Sequence, residues 1–90
     1  MQKWRFVFTP EAEHDFEKLD RDIRARIYKR LGWFAENFGD VESLPLTGAW
    51  QGFFKLRIGD WRVIYKVENA RLLIIIYVID RRDKVYKRNG

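Results

Sequence analysis

Residues 3–8 alternate, with Trp4, Phe6 and Phe8 on one face and Arg5 and Val7 on the other, which is the period of a half-buried strand. Thr9-Pro10-Glu11 then reads as a helix start. Threonine can cap, proline suits the first turn, and Glu11 and Glu13 favour the positive end of the helix dipole. Ala12, Phe16 and Leu19 form the apolar stripe of this short helix. Asp20 can cap a second, longer helix whose stripe is Ile23, Ile27, Leu31, Phe34 and Phe38, an amphipathic spacing weakened only slightly by Gly32. Gly39 is its stop signal, and residues 40–51 read as a loop broken by Pro45 and Gly48.

The remainder is β-rich. Phe53 to Ile58, a Gly59-Asp60 turn and Trp61 to Val67 read as a tight hairpin, with glycine first in a two-residue loop favouring a type II′ turn over type I′. Glu68-Asn69-Ala70-Arg71 turns the chain into Leu72 to Ile79, a strand apolar on both faces and therefore predicted to lie inside the sheet. Asp80 to Gly90 is a charged tail. The pattern predicts one α+β domain spanning residues 1–90, in the order β-α-α-β-β-β. Two N-terminal helices pack on one face of a small, mostly antiparallel sheet.

The Gly59-Asp60 turn fixes register. Ile58 faces Trp61, Arg57 faces Arg62, Leu56 faces Val63 and Lys55 faces Ile64. Phe54, Leu56, Ile58, Trp61, Val63 and Tyr65 then form a core face. Phe53, Lys55, Arg57, Arg62, Ile64 and Lys66 share the other.

The chain has 90 residues, 47% hydrophobic and 17% aromatic, enough for one modest core and too apolar for disorder. Without cysteine there is no disulfide, thiolate metal site or cysteine nucleophile, and one histidine cannot build a histidine metal site or a Ser-His triad. The N-terminus carries no apolar signal stretch, and the run from Leu72 to Ile79 is too short to span a membrane, so a cytoplasmic location is expected. No phosphate-binding glycine loop or metal-ligand spacing occurs, and no cofactor or metal is expected.

Charge sharpens the picture. Residues 1–45 carry eight Lys/Arg and nine Asp/Glu, whereas residues 46–90 carry ten and four. The one-sided basic field points to a polyanionic partner, although it also suits a merely soluble basic protein. Directly opposed arginines destabilise a hairpin. Arg57 and Arg62, with Lys55 and Lys66 adding charge of the same sign, therefore read as an anion site, and the alternative is a face screened by salt or by acidic residues elsewhere. The tail adds Arg81, Arg82, Lys84, Lys87 and Arg88 around Tyr86, where an aromatic ring could stack on a base while cations hold phosphates. His14 reads as a surface residue. Trp4, Trp33 and Trp61 read as core or core edge, with Trp50 exposed in the loop.

The stretch Lys55-Leu56-Arg57-Ile58-Gly59-Asp60-Trp61-Arg62-Val63-Ile64-Tyr65 resembles the hairpin signature of the RelE/ParE toxin superfamily. Val78-Ile79-Asp80-Arg81-Arg82-Asp83-Lys84-Val85-Tyr86-Lys87 is similar to the family's closing segment. For the RelE branch the resemblance implies a RelE-like fold and a ribosome-dependent endoribonuclease that cuts mRNA without metal, by attack of a ribose 2′-hydroxyl on the adjacent phosphate. It also implies contacts to 16S rRNA and silencing by a small RelB-like antitoxin. Carried over by position, Lys55, Arg62, Arg82 and Tyr86 match catalytic positions, and Arg57 an additional basic one. Lys66, Arg81, Lys84 and Lys87 are expected to bind RNA phosphates. Two departures stand out: the family's second lysine falls at Phe53, and its tail histidine at Arg81. Arg62 and Arg82 suit charge stabilisation. Lys55 is the first candidate for the base, because neighbouring cations disfavour its protonated form, with Asp80 or Asp83 as alternatives. The ParE branch implies instead a non-nuclease inhibitor of DNA gyrase, and a third reading keeps only antitoxin binding.

Overall fold

The computed structural model describes residues 3–41 and 43–87. Strand β1 (Arg5–Phe8) leads into helix α1 (Pro10–Glu17), whose cap is Thr9: its hydroxyl accepts from the Ala12 N–H at 3.2 Å. Helix α2 (Arg21–Glu36) follows, and Asp20 stands at its N-cap without a side-chain hydrogen bond. The expected stripe runs past the end of α2, because Phe38 belongs to a 3₁₀ turn, Phe38–Asp40. Its ring nevertheless packs on Trp4 and Phe34, with centroids 4.5 and 5.3 Å away.

Strands β2 (Leu44–Pro45), β3 (Phe54–Ile58), β4 (Trp61–Glu68) and β5 (Leu73–Arg81) complete a five-stranded sheet in the order β1-β5-β4-β3-β2. The short β2 was not legible in a loop punctuated by Pro45 and glycines. β1 pairs parallel to β5 and every other pairing is antiparallel, so β5 lies inside the sheet as its apolar faces require.

The hairpin register is the predicted one: Arg57 opposite Arg62, Lys55 opposite Ile64. Gly59 has φ +60° and Asp60 is not among the residues of positive φ, which defines the type II′ turn. A bulge in β5 opposite Ile64/Tyr65 pairs Ile64 with Val78 and Tyr65 with Ile76. It inserts Tyr77, so Tyr77 and Val78 both contribute to the face away from the helices.

The helices cover one face. Ile27, Leu31 and Phe34 of α2 and Ala12 of α1 bury against Leu56, Ile58, Val63, Tyr65, Ile74, Ile76 and Ile79. The other face carries a second, smaller apolar cluster of Trp50, Ile64, Val78 and Val85, flanked by Leu46, Phe53 and Tyr77. Two expectations reverse here. Trp50 is 6% exposed, folded back from the loop onto this cluster, whereas Trp33 on α2 is 45% exposed. No helix among the described residues is long and apolar enough to cross a membrane.

Tyr65 joins the core to the loop. Its ring stacks on Phe54 at 5.7 Å, and its hydroxyl donates to the Ser43 oxygen at 3.0 Å. Burial pushes its phenol above the ordinary value, while the Ser43 hydrogen bond pulls the other way. The unfolded chain therefore ionises this tyrosine first, at about pH 10. Its contribution is complete below that pH and is lost as pH rises through the higher folded value. Denaturant unfolding of the wild type should show stability falling above about pH 10. Tyr65→Phe should cost about 1 kcal/mol at neutral pH, for the Ser43 bond, and show a shallower alkaline decline.

Candidate nucleic-acid interface

The face turned away from the helices is built in rows by the hairpin register. Nearest the turn, Arg57, Arg62 and Asp80 lie side by side across β3, β4 and β5. The next row is Lys55, Ile64 and Val78, and Lys66 stands one step further along β4. The opposed arginines are thus not relieved by solvent alone, because β5 sets a carboxylate-bearing residue on the far side of Arg62. That placement is a property of the third strand and could not be read from the hairpin.

Arg62 is the least exposed cation of the group, at 8%. Its Nη1 donates to the carbonyls of Gly59 and Trp61, at 2.8 and 2.9 Å. The guanidinium therefore closes the hairpin turn as well as placing positive charge beside Arg57. Burying it without such acceptors would be costly. The turn is also tied to the tail, since the Arg82 N–H donates to the Asp60 carbonyl at 2.9 Å. That bond holds the exposed Arg82 next to the arginine row.

Beyond Arg82 the chain crosses the sheet. Val85–Lys87 forms a 3₁₀ turn whose Val85 is fully buried on the cluster of Ile64 and Val78. This anchor leaves Tyr86 45% exposed and sets its ring over β3, with the Lys55 Nζ 5.8 Å from the ring centroid. A cation at that range is attracted by the ring face. Lys55 and Tyr86, far apart in sequence, thus form one unit because a single valine pins the tail. The sequence pattern left the tail as a charged end, and the one signal for an anchor was an apolar residue amid charges.

The structure divides the remaining candidates. The Lys66 Nζ sits 4.5 Å over the Phe53 ring and 5.7 Å from that of Tyr77. An ammonium therefore stands over the Phe53 ring, delivered from the neighbouring strand. Arg81 goes to the opposite side. It pairs with Trp61 on the helix-covered face, its guanidinium carbon 5.8 Å from that ring and its Nε 3.9 Å from Asp83. Arg81 and Lys84 line a cavity of about 590 Å³ with His14 and Asp15 of α1 and Lys18 at its C-cap. The Asp15 carboxylate there accepts from the Ile79 N–H at 3.1 Å. Arg81 and Lys84 are thus not gathered with Lys55, Arg57 and Arg62. Lys87 is exposed at the end of the 3₁₀ turn, and Arg88 lies outside the described residues. Among the described residues, no group of three or more His, Asp or Glu is placed to hold a metal ion.

A family model described as the ParE toxin of the type II toxin–antitoxin system parDE matches residues 6–85. The chain is 30% identical over 87 residues to Toxin RelG of Mycobacterium tuberculosis, covering 90% of this chain and 93% of the relative. Among solved structures it resembles the RelBE2 toxin–antitoxin complex of M. tuberculosis, with a TM-score of 0.79 at 26% identity over 91% of this chain and 94% of that one. The isolated RelE toxin of Escherichia coli shares the fold, with a TM-score of 0.70 at 20% identity over 96% of this chain and 93% of that one.

The double role of Arg62 has a measurable consequence. Arg62→Lys keeps the charge, but its side chain is one atom shorter than the reach to Nη1, the atom that donates to both carbonyls. Arg62→Lys and Arg62→Ala should each lower unfolding free energy by about 1–3 kcal/mol in denaturant titrations. Arg57→Ala, at the exposed and repelled partner, should be neutral or stabilising in the same measurement.

Proposed function

The chain belongs to the RelE/ParE superfamily of type II toxin–antitoxin toxins, and from that premise we propose that it is an RNA-cleaving toxin acting through the back face of its sheet. The observation that carries this reading is the exposed Tyr86 ring held over Lys55, beside Arg57, Arg62 and Arg82. A base stacked on the free face of Tyr86 would present its flanking phosphate to these cations.

In-line attack by a 2′-hydroxyl needs a proton acceptor, charge stabilisation on the phosphorane and help for the leaving 5′-oxygen. Arg82 is exposed and free to present its guanidinium to the phosphate as a bidentate donor. Arg62, committed through Nη1 to the turn carbonyls, contributes field and fixes the geometry of its neighbours. Lys66 supplies the second ammonium over Phe53. Lys55 as an ammonium stabilises developing negative charge, and to accept the 2′-hydroxyl proton it must first give one up. Asp80, in register with Arg62, is the carboxylate alternative. Lys87 extends the phosphate contacts along the exposed tail. The target is mRNA in the ribosomal decoding site, the location cytoplasmic, and the silencing partner a RelB-like antitoxin. The last is supported by a RelBE2 complex among the structural relatives.

The family model's ParE description and the engagement of Arg62 in the turn favour a second reading, inhibition of DNA gyrase without RNA cleavage. Mapping transcript 5′ ends after induction separates the two: new cuts at codon positions support the first, and DNA damage without cuts supports the second. For the first, Arg82→Ala, Lys55→Ala and Tyr86→Ala should each lower cleavage by about 10²-fold or more with unchanged unfolding midpoints. Full activity in folded Arg82→Ala and Lys55→Ala would remove the site assignment.

A further inference from the structure

The first half of the chain has a net charge of −1, yet its charges are segregated by element. α1 carries four acidic residues and no Lys or Arg, whereas α2 carries five Lys/Arg and two acids. Three of the α2 cations, Arg26, Lys29 and Arg30, share one helix face with Trp33, at spacings of three and four residues. The fold sets this face beside the β3–β4 turn. Arg26, Lys29, Arg30, Trp33, Arg57 and the Ile58-Gly59 backbone line a groove of about 540 Å³. Among the described residues, no acidic one lines it. The Arg26 guanidinium lies against the turn so closely that a Cβ at Gly59 would collide with it. The Arg30 guanidinium carbon is 4.4 Å from the centroid of the exposed Trp33 ring.

Apart from Arg57, nothing in the proposed cleavage chemistry uses these residues, and an uncompensated cluster of four cations is unfavourable unless an anion answers it. We propose that this α2–turn groove is a second RNA-binding site, holding the phosphate backbone of RNA that continues past the Lys55–Tyr86 face. The inference rests on the RNA-directed reading above. Arg57 carries the continuity, because it belongs both to the arginine row and to the groove. Arg26 and Arg30, one turn apart along α2, present donors about 6 Å apart along the helix axis. Trp33, with Arg30 on its ring, offers an aromatic surface for an unpaired base. An acidic peptide is the competing occupant. It would most naturally add a strand to the open edge of β3, but past Lys55 only Arg57 and Ile58 of that edge reach the groove. That is shorter than an ordinary strand of about five residues.

The test uses the full chain and a synthetic RNA stem–loop with a single-stranded tail, binding being measured across a salt series. Arg26→Gln, Lys29→Gln and Arg30→Gln are combined, since glutamine keeps helix propensity, with the exposed Lys29→Gln as a milder single variant. The expected result is about tenfold weaker binding of the triple variant at physiological salt. The slope of log K against log salt should be shallower by about one to two, and cleavage of mRNA on programmed ribosomes at saturating toxin should be unchanged. Unchanged affinity and slope, with Arg82→Ala still impaired in cleavage, overturn the groove while leaving the cleavage site standing. Loss of binding to a polyglutamate peptide but not to RNA overturns it in favour of an acidic protein partner. A wild type that shows no salt-dependent RNA binding overturns the groove together with the RNA-directed reading.

Discussion

The Gly59-Asp60 turn is the constraint on which the rest of the functional surface depends. A two-residue type II′ loop admits one register, and the period of a strand then assigns every hairpin side chain to a face. A slip of one residue would carry Lys55, Arg57, Arg62 and Lys66 into the helix-covered core. Two residues hold the turn in place. Arg62 donates to the carbonyls of Gly59 and Trp61, and the Arg82 N–H donates to that of Asp60. Both are arginines, and the Arg26 guanidinium lies close by, so the residues that stabilise the turn also concentrate positive charge around it.

Stability and function are balanced across the two faces of the sheet. The helix side holds the main core and asks nothing further of the sequence than apolar residues of fitting size. The back face is divided: charged residues toward the turn and along β3, apolar ones around Ile64 and Val78. The apolar patch is what lets the tail return. Val85 and Trp50 seal it, and the sealed patch in turn presents Tyr86 to Lys55. The position of the proposed base-stacking ring therefore depends on hydrophobic burial beneath it.

Family membership narrows the chemistry without choosing its target. The family model bears the ParE description, and the curated and structural relatives include RelG, RelBE2 and RelE. The family resemblance leads one to expect a lysine at Phe53, and the Lys66 ammonium stands over that ring from another strand. Arg81, in contrast, leaves the site for the Trp61 side, where Asp83 and the α1 residues surround it.

The sequence by itself determined the element order apart from the short β2, the II′ turn, the hairpin register and both faces of β3 and β4. These are local quantities, set by a glycine of positive φ and by periods of 2 and 3.6. It also marked Lys55, Arg57, Arg62, Arg82 and Tyr86 as one candidate cluster. Only the tertiary structure decided what required distant segments to meet. Trp50 and Trp33 exchanged their expected environments, because burial depends on which segment folds over a residue and not on the residue's own pattern. Asp80 came to lie across from Arg62, and Val85 pinned the tail, through contacts of β5 and the 3₁₀ turn with β4. The basic groove of α2 was invisible to a count by halves of the chain, in which the acids of α1 cancel the cations of α2. The fold separates those charges in space, and at the distance of a few ångströms a local cluster of like charge acts on its own, whatever the net charge of the chain around it.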